Sequence, residues 1–324
     1  MTGEGTAGER AERLADRALF PDAADVDAAD RVPERHLRLL DEAGLTGLAA
    51  TGPDLATRIR VTSALAGGSL ATAFVWLQHQ GALAAVARSD VPGVAERFAA
   101  PLTAGTLRAG VAITGLRPPT PLTLVPDGRG LALTGRVPWV TGWGIADVLL
   151  VAALDREGAV RTALIDFVPA PTLRVEPLDL VAARAGRTVT LVLDRHPVPA
   201  DRMIATLPLA EWEAADAAGL AGNGALSLGV AGRSARLAAS DALLADVAGA
   251  RLRLAAASPA ELPAVRAACS ALALRAAAAL TVRAGSRSVL ADAAAARLMR
   301  EAQFLLAFGS RPAIREALLA RFGA

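Results

Sequence analysis

The 324-residue sequence predicts an α+β protein, mostly α, in three parts: an N-terminal helical domain (residues 1–105), a small middle β-barrel or sandwich (106–206) and a C-terminal helical bundle of four-helix type (207–324). Three observations carry this. Apolar residues recur at helical spacing to about residue 104. From about 106 to 206, Pro and Gly recur every few residues between short β-type runs, leaving no room for helices of ordinary length. After Pro208 the long helical pattern returns. The 53% hydrophobic content, mostly Ala, Leu and Val with only 3% aromatics, requires a core packed through small side chains.

In order along the chain, residues 11–20 form an amphipathic helix. Pro33 opens a second helix that runs to Ala43 and stops at Gly44. Asp54 begins a third, ending near Gly67 and Gly68. Residues 69–88 place Leu70, Phe74, Leu77 and Val86 on a fourth. Asp90, Val91 and Pro92 open a short fifth helix that ends near Pro101. Strands are expected at 108–114, 121–125, 131–134, 148–154, 163–167 and 189–193. Helices are then expected at 209–248, 259–284 and 287–308, with a last one from Pro312. The glycines at 222, 224, 229 and 232 follow no strand, so they read as points of close helix crossing rather than as phosphate loops.

Composition excludes several classes of function. The 34 basic residues are all Arg and are scattered against 32 acids, which argues against nucleic-acid binding. Cys269 stands alone in an Ala-rich stretch and reads as a small buried hydrophobe, in keeping with a reducing cytoplasm. The N-terminus lacks the apolar segment of a signal peptide, and residues 264–282 are too short and too charged, through Arg266 and Arg275, to span a bilayer. His36, His79 and His196 have no metal-ligand spacing, so no metal site is expected.

Certain runs, taken in order, carry more. Gly135-Arg136-Val137-Pro138-Trp139-Val140-Thr141 is followed by Ala146-Asp147-Val148-Leu149-Leu150-Val151-Ala152. Residues 107–114 precede that block, and residues 184–190 and 198–203 follow it. This order resembles the acyl-CoA dehydrogenase superfamily over nearly the whole chain. The resemblance implies FAD with its ring against the β-domain: Val111, Ile113 and Thr114 would line one side, and Trp139, Val140 and Thr141 would meet the ring near its reactive nitrogen. It also implies a homodimer or homotetramer in which Arg251 and Arg253 reach the FAD diphosphate of a neighbouring subunit.

The sequence departs from that pattern in three places. Where the family carries its catalytic Glu, the run is Ala307-Phe308-Gly309-Ser310, and a phenyl ring accepts no proton. Asp216 and Glu213 lie one or two turns from a position, near Gly219, where some members place the base instead. His79 is a third candidate, because flavin oxygenases of this fold often use a His. The turn after Thr114, residues 115–120, is shortened. The stretch around Arg251 and Arg253 lacks the family's Phe-Gly and Gln. The sequence thus points to an FAD-dependent oxidoreductase acting on an acyl thioester or similar small substrate, with an atypical or displaced base. The alternatives are a flavin-dependent monooxygenase of the same fold and a non-catalytic partner subunit of a hetero-oligomeric homologue.

Overall fold

A computed structural model describes residues 4–116, 121–128, 130–309 and 311–324. Most of the shortened turn after Thr114, together with Ser310, lies outside the described residues. The first helix, α1 (Ala7–Leu14), starts earlier than apolar spacing suggests, because Thr6 and Glu9 form a reciprocal capping box: the Thr6 hydroxyl accepts from the Glu9 N–H at 3.3 Å, and the Thr6 N–H donates to the Glu9 carboxylate at 2.8 Å. A π turn (Ala15–Leu19) extends it. Then come α2 (Ala23–Ala28), α3 (Glu34–Glu42) after Pro33, α4 (Leu55–Gly68) capped by Asp54, α5 (Leu70–Ala87) capped by Ser69, and α6 (Val94–Ala104). Helix α5 is apolar on most of its sides because α4, α6, α8 (Leu220–Leu237) and the first strand pack on it.

Eight strands make one mixed sheet: β1 (Ala109–Ala112), β2 (Thr123–Asp127), β3 (Gly130–Val140), β4 (Val148–Leu154), β5 (Val160–Asp166), β6 (Leu173–Pro177), β7 (Val189–Val198) and β8 (Met203–Leu207). Their order is β6-β7-β3-β2-β4-β5-β8, and β1 lies parallel to β4 with Ala109 opposite Val148. Strand β4 is a continuous apolar run because both its faces are buried. Leu149 and Val151 face the sheet's own core with Leu124 and Ile165. Val148 and Leu150 pack on Leu83, Val86 and Phe98 of α5 and α6. Strands β6 and β8 were not expected from the sequence. Each is an edge strand with one buried side chain, Leu173 or Ile204, too little to show an alternation.

The stretch expected as one helix over 209–248 is three: α7 (Leu209–Ala218), α8 and α9 (Asp241–Ala256). Gly219 separates the first two. Ala239, at a φ of 48°, and Ser240, which caps α9, separate the second two. Then follow α10 (Leu262–Ala284), α11 (Ala294–Ala307) and α12 (Pro312–Phe322). Residues Leu262–Val289 are long and apolar enough by composition to cross a membrane, further than the 264–282 stretch suggests. Half of their most apolar window is nevertheless buried in the bundle, where α10 is the central helix.

The first and last helical segments share one hydrophobic core, with Leu65, Phe74, Leu226, Leu228, Leu272 and Leu298 among its members. They meet most closely where α4 crosses α8. A Cβ on Gly229 would lie 2.7 Å from the Ala66 Cβ and 2.8 Å from the Gly67 nitrogen, so only glycine permits that approach.

Candidate active site

A cleft of about 1050 Å³ opens between one side of the sheet and helices α4, α5, α8 and α11. Its sheet wall is made by Val111 of β1, by Ile113 and Thr114 just beyond it, and by Trp139 of β3. The pairing of β3 with β7 shifts register between Val137 and Val140, and inside this bulge Trp139 adopts a φ of 63°. Its indole is thereby turned out of the sheet and is 59% exposed. The Thr114 hydroxyl donates to the Pro138 carbonyl, tying the two parts of the wall together.

The bulge also decides which neighbours of Trp139 reach the cleft. Val140 is fully buried in the sheet core. Thr141 is 2% exposed and shares a 2.9 Å hydrogen bond with the Thr188 hydroxyl. Thr188, and not Thr141, lines the cleft. Although residues 184–190 belong to the resembling runs, nothing in the sequence singled out Thr188.

On the helical side, Phe308 closes α11 next to Phe304 and Phe74. The Phe74–Phe308 centroids are 4.7 Å apart, edge to face, and the Phe304–Phe308 rings stack at 5.6 Å. An aromatic floor therefore occupies the place where the resemblance would put a carboxylate. Phe308 is held from behind by Arg266, a buried cation with no carboxylate partner among the described residues. Its guanidinium donates to the carbonyls of Leu305 and Phe308, each at 3.0 Å, capping α11. Burial pulls the guanidinium down to about 10, so it stays charged at neutral pH.

Of the candidate bases, Asp216 alone lines the cleft, and Arg311 donates to both its carboxylate and its main-chain carbonyl. Glu213 is exposed on α7, outside the cleft lining. His79 is buried outside the lining as well. Its Nε2 bonds the Leu102 carbonyl at 3.0 Å, and its Nδ1 accepts the Ala109 N–H at 3.1 Å, which places the proton on Nε2. Burial pushes the ring down to about 4, so it is neutral, and it joins α5 to the start of β1 rather than facing a ligand. Arg251 and Arg253 are also outside the lining. Arg251 is half-buried on α9 near Glu12, Arg60 and Arg236, and Arg253 is exposed.

Other polar groups line the cleft. Gln78, Asn223 and Gln303 present carboxamides with no hydrogen-bond partner among the described residues, and Arg58 and Arg88 present guanidinium groups with none. Arg88 caps α5 about 21 Å along the helix from Phe74 at 1.5 Å per residue. Among the described residues no group of three or more His, Cys, Asp or Glu could hold a metal. The Cys269 thiol is buried and pushed up to about 11, so it is unreactive.

No protein-family description matches the sequence, and no curated protein does. Solved structures match throughout. A chain from the electron transferring flavoprotein work on Acidaminococcus fermentans shares a TM-score of 0.83 at 17% identity, covering 99% of each chain. Butyryl-CoA dehydrogenase from Megasphaera elsdenii gives 0.82 at 18% identity over 100% of this chain and 99% of that one. Glutaryl-CoA dehydrogenase from Mycobacterium smegmatis, in complex with FADH2, gives 0.81 at 16% over 98% and 94%. At such identities the likeness is one of fold, and it runs end to end: the chain has the acyl-CoA dehydrogenase fold.

Proposed function

We propose that the protein is an FAD-dependent oxidoreductase acting on an acyl thioester or similar small substrate. The observation that carries this reading is the cleft itself. At about 1050 Å³ it is at the upper end of ligand sites, and its walls suit a flat, neutral ring. Val111 and Ile113 supply an apolar face, and the Trp139 indole and the Thr114 and Thr188 hydroxyls supply polar edges without net charge. Arg58 and Arg88 suit phosphate groups, whether of the cofactor or of a thioester handle. When bound, the flavin supplies the hydride acceptor. The chain's own part is to orient the substrate against the sheet wall and to exclude water with the aromatic floor.

Removal of an α-proton cannot fall to Phe308. Asp179 and Asp216 are the carboxylates among the described lining residues, and the contact of Asp216 with Arg311 would have to open first. That arrangement gives weight to a second reading, a flavin-dependent monooxygenase, in which no base is needed at the floor. A third, a partner subunit that completes a homologue, is favoured by the absence of Phe-Gly and Gln around Arg251 and Arg253. In each reading the chain works in the cytoplasm as a homodimer or homotetramer, or paired with a homologue.

Flavin content tests the first point. Purified protein should be yellow, or should take up FAD on reconstitution. Anaerobic bleaching by an acyl-CoA supports the dehydrogenase, whereas a loaded protein that bleaches only with an external reductant and then consumes oxygen supports the monooxygenase. Colourless protein that takes up no FAD sinks both.

A further inference from the structure

Three neutral carboxamides surround the aromatic floor, and none has a protein partner among the described residues. Gln78 lies one turn beyond Phe74 on α5, on the same face. Gln303 adjoins Phe304 on α11. The Asn223 Nδ2 sits 2.8 Å from where a Gly309 Cβ would be, against the turn that follows Phe308. A Cβ on Gly222 would lie 3.4 Å from Leu77, which brings the same turn of α8 up to Gln78. The groups thus converge on one end of the cleft from three helices.

The fold satisfies its carboxamides where it uses them for structure. Gln80, two residues from Gln78, accepts the Ala49 N–H at 2.9 Å and donates to the Thr46 carbonyl at 2.8 Å. Charge at this end is already neutralised within the protein, since Asp216 and Arg311 hold each other. What remains on offer is neutral: each carboxamide brings one acceptor oxygen and two N–H donors.

We infer that the acyl group bound here carries a hydroxyl or carbonyl oxygen besides its thioester, recognised by Gln78, Asn223 and Gln303 above the Phe74–Phe304–Phe308 floor. This rests on the reading of the cleft as a flavin and acyl-thioester site. A plain hydrocarbon chain would strip water from the three amides and return nothing, and sites built to hydrogen-bond a substrate group discriminate strongly against the analogue that lacks it. Of the described residues against the aromatic floor, the cation Arg311 is already engaged by Asp216, so it offers a substrate carboxylate no free charge.

The test uses the full chain reconstituted with FAD, its flavin reduced beforehand so that binding is read without turnover. Calorimetric titration compares the pantetheine thioesters of 3-hydroxybutyrate and butyrate, probes that mimic either a CoA or a carrier handle. The hydroxylated thioester should bind at least about tenfold tighter. Gln78→Leu and Asn223→Leu should each bring the ratio to within about twofold of unity. Gln303→Leu, at an exposed position, gives the same reading should either of those variants lose its flavin or its cooperative melting. Equal or tighter binding of the butyrate ester overturns the inference, as does parallel weakening of both esters by the variants. Flavin-loaded protein that prefers butyrate removes this inference alone. Protein that takes up neither FAD nor either ester removes the proposed function and this inference with it.

Discussion

With a φ of 63°, Trp139 holds its backbone in the left-handed region, where a non-glycine residue is strained by about 1–3 kcal/mol. The strain persists because it aims the indole into the cleft. Trp139→Gly should therefore leave the melting temperature unchanged or raise it by a few degrees, while FAD affinity falls by roughly tenfold, or about 1.4 kcal/mol. Isothermal titration and thermal melting read the two effects separately. A second residue test concerns Glu301, buried 3.5 Å from the Arg297 Nε. Burial pushes its carboxyl up to about 7 against the opposing charge of Arg297, whereas in the unfolded chain it titrates near 4.5. The folded state thus binds the extra proton, and this contribution to stability is full below pH 4.5 and lost as pH rises through 7. Glu301→Gln should melt higher than the parent at pH 8 and close to it at pH 5. His79 acts in the opposite sense. Its proton is bound near 6.5 in the unfolded chain and near 4 in the folded one, so stability is lost as pH falls across that window. At this scale Val111, Ile113, Thr114 and Trp139, all named from the sequence, line the cleft, while the side chains of Val140 and Thr141 do not, since a bulge that turns one side chain outward turns its neighbours inward.

Between elements, the α4–α8 crossing separates two glycines that look alike in sequence. A Cβ at 229 would strike the backbone of α4, while one at 232 would meet only the Val247 side chain at an ordinary 3.7 Å. Gly229→Ala should cost about 1–3 kcal/mol through overpacking. Gly232→Ala should be neutral or stabilise by up to about 1 kcal/mol through helix propensity. Denaturant midpoints at constant m-value distinguish these outcomes. The reading of these glycines as points of close approach was open to sequence inspection; which of them makes the contact was not, because that depends on a partner 160 residues earlier. The same limit explains the strands. β4 announces itself through an unbroken apolar run, and β6, with one buried leucine ahead of a mixed Arg174-Val175-Glu176 run, does not. The three helices from α7 to α9 merge in sequence because Ala and Leu continue across both breaks, leaving only Gly219 and Ser240 to mark them.

Across the whole molecule, the sheet between the helical segments has its own apolar core, while the first and last helical segments share another, in which α4 packs chiefly on α8. Residues 1–207 expressed alone should therefore aggregate or melt without cooperativity, and co-expression with 208–324 should restore a soluble complex; a stable, cooperatively melting 1–207 fragment would contradict the shared core. During synthesis, the first helical segment leaves the ribosome without the partners that bury its leucines, and about a third of the chain must follow before the first of those partners, α8, begins to emerge. The nascent protein thus carries a long-lived greasy surface, and its yield in a cell should depend on holding chaperones more than its finished stability would suggest.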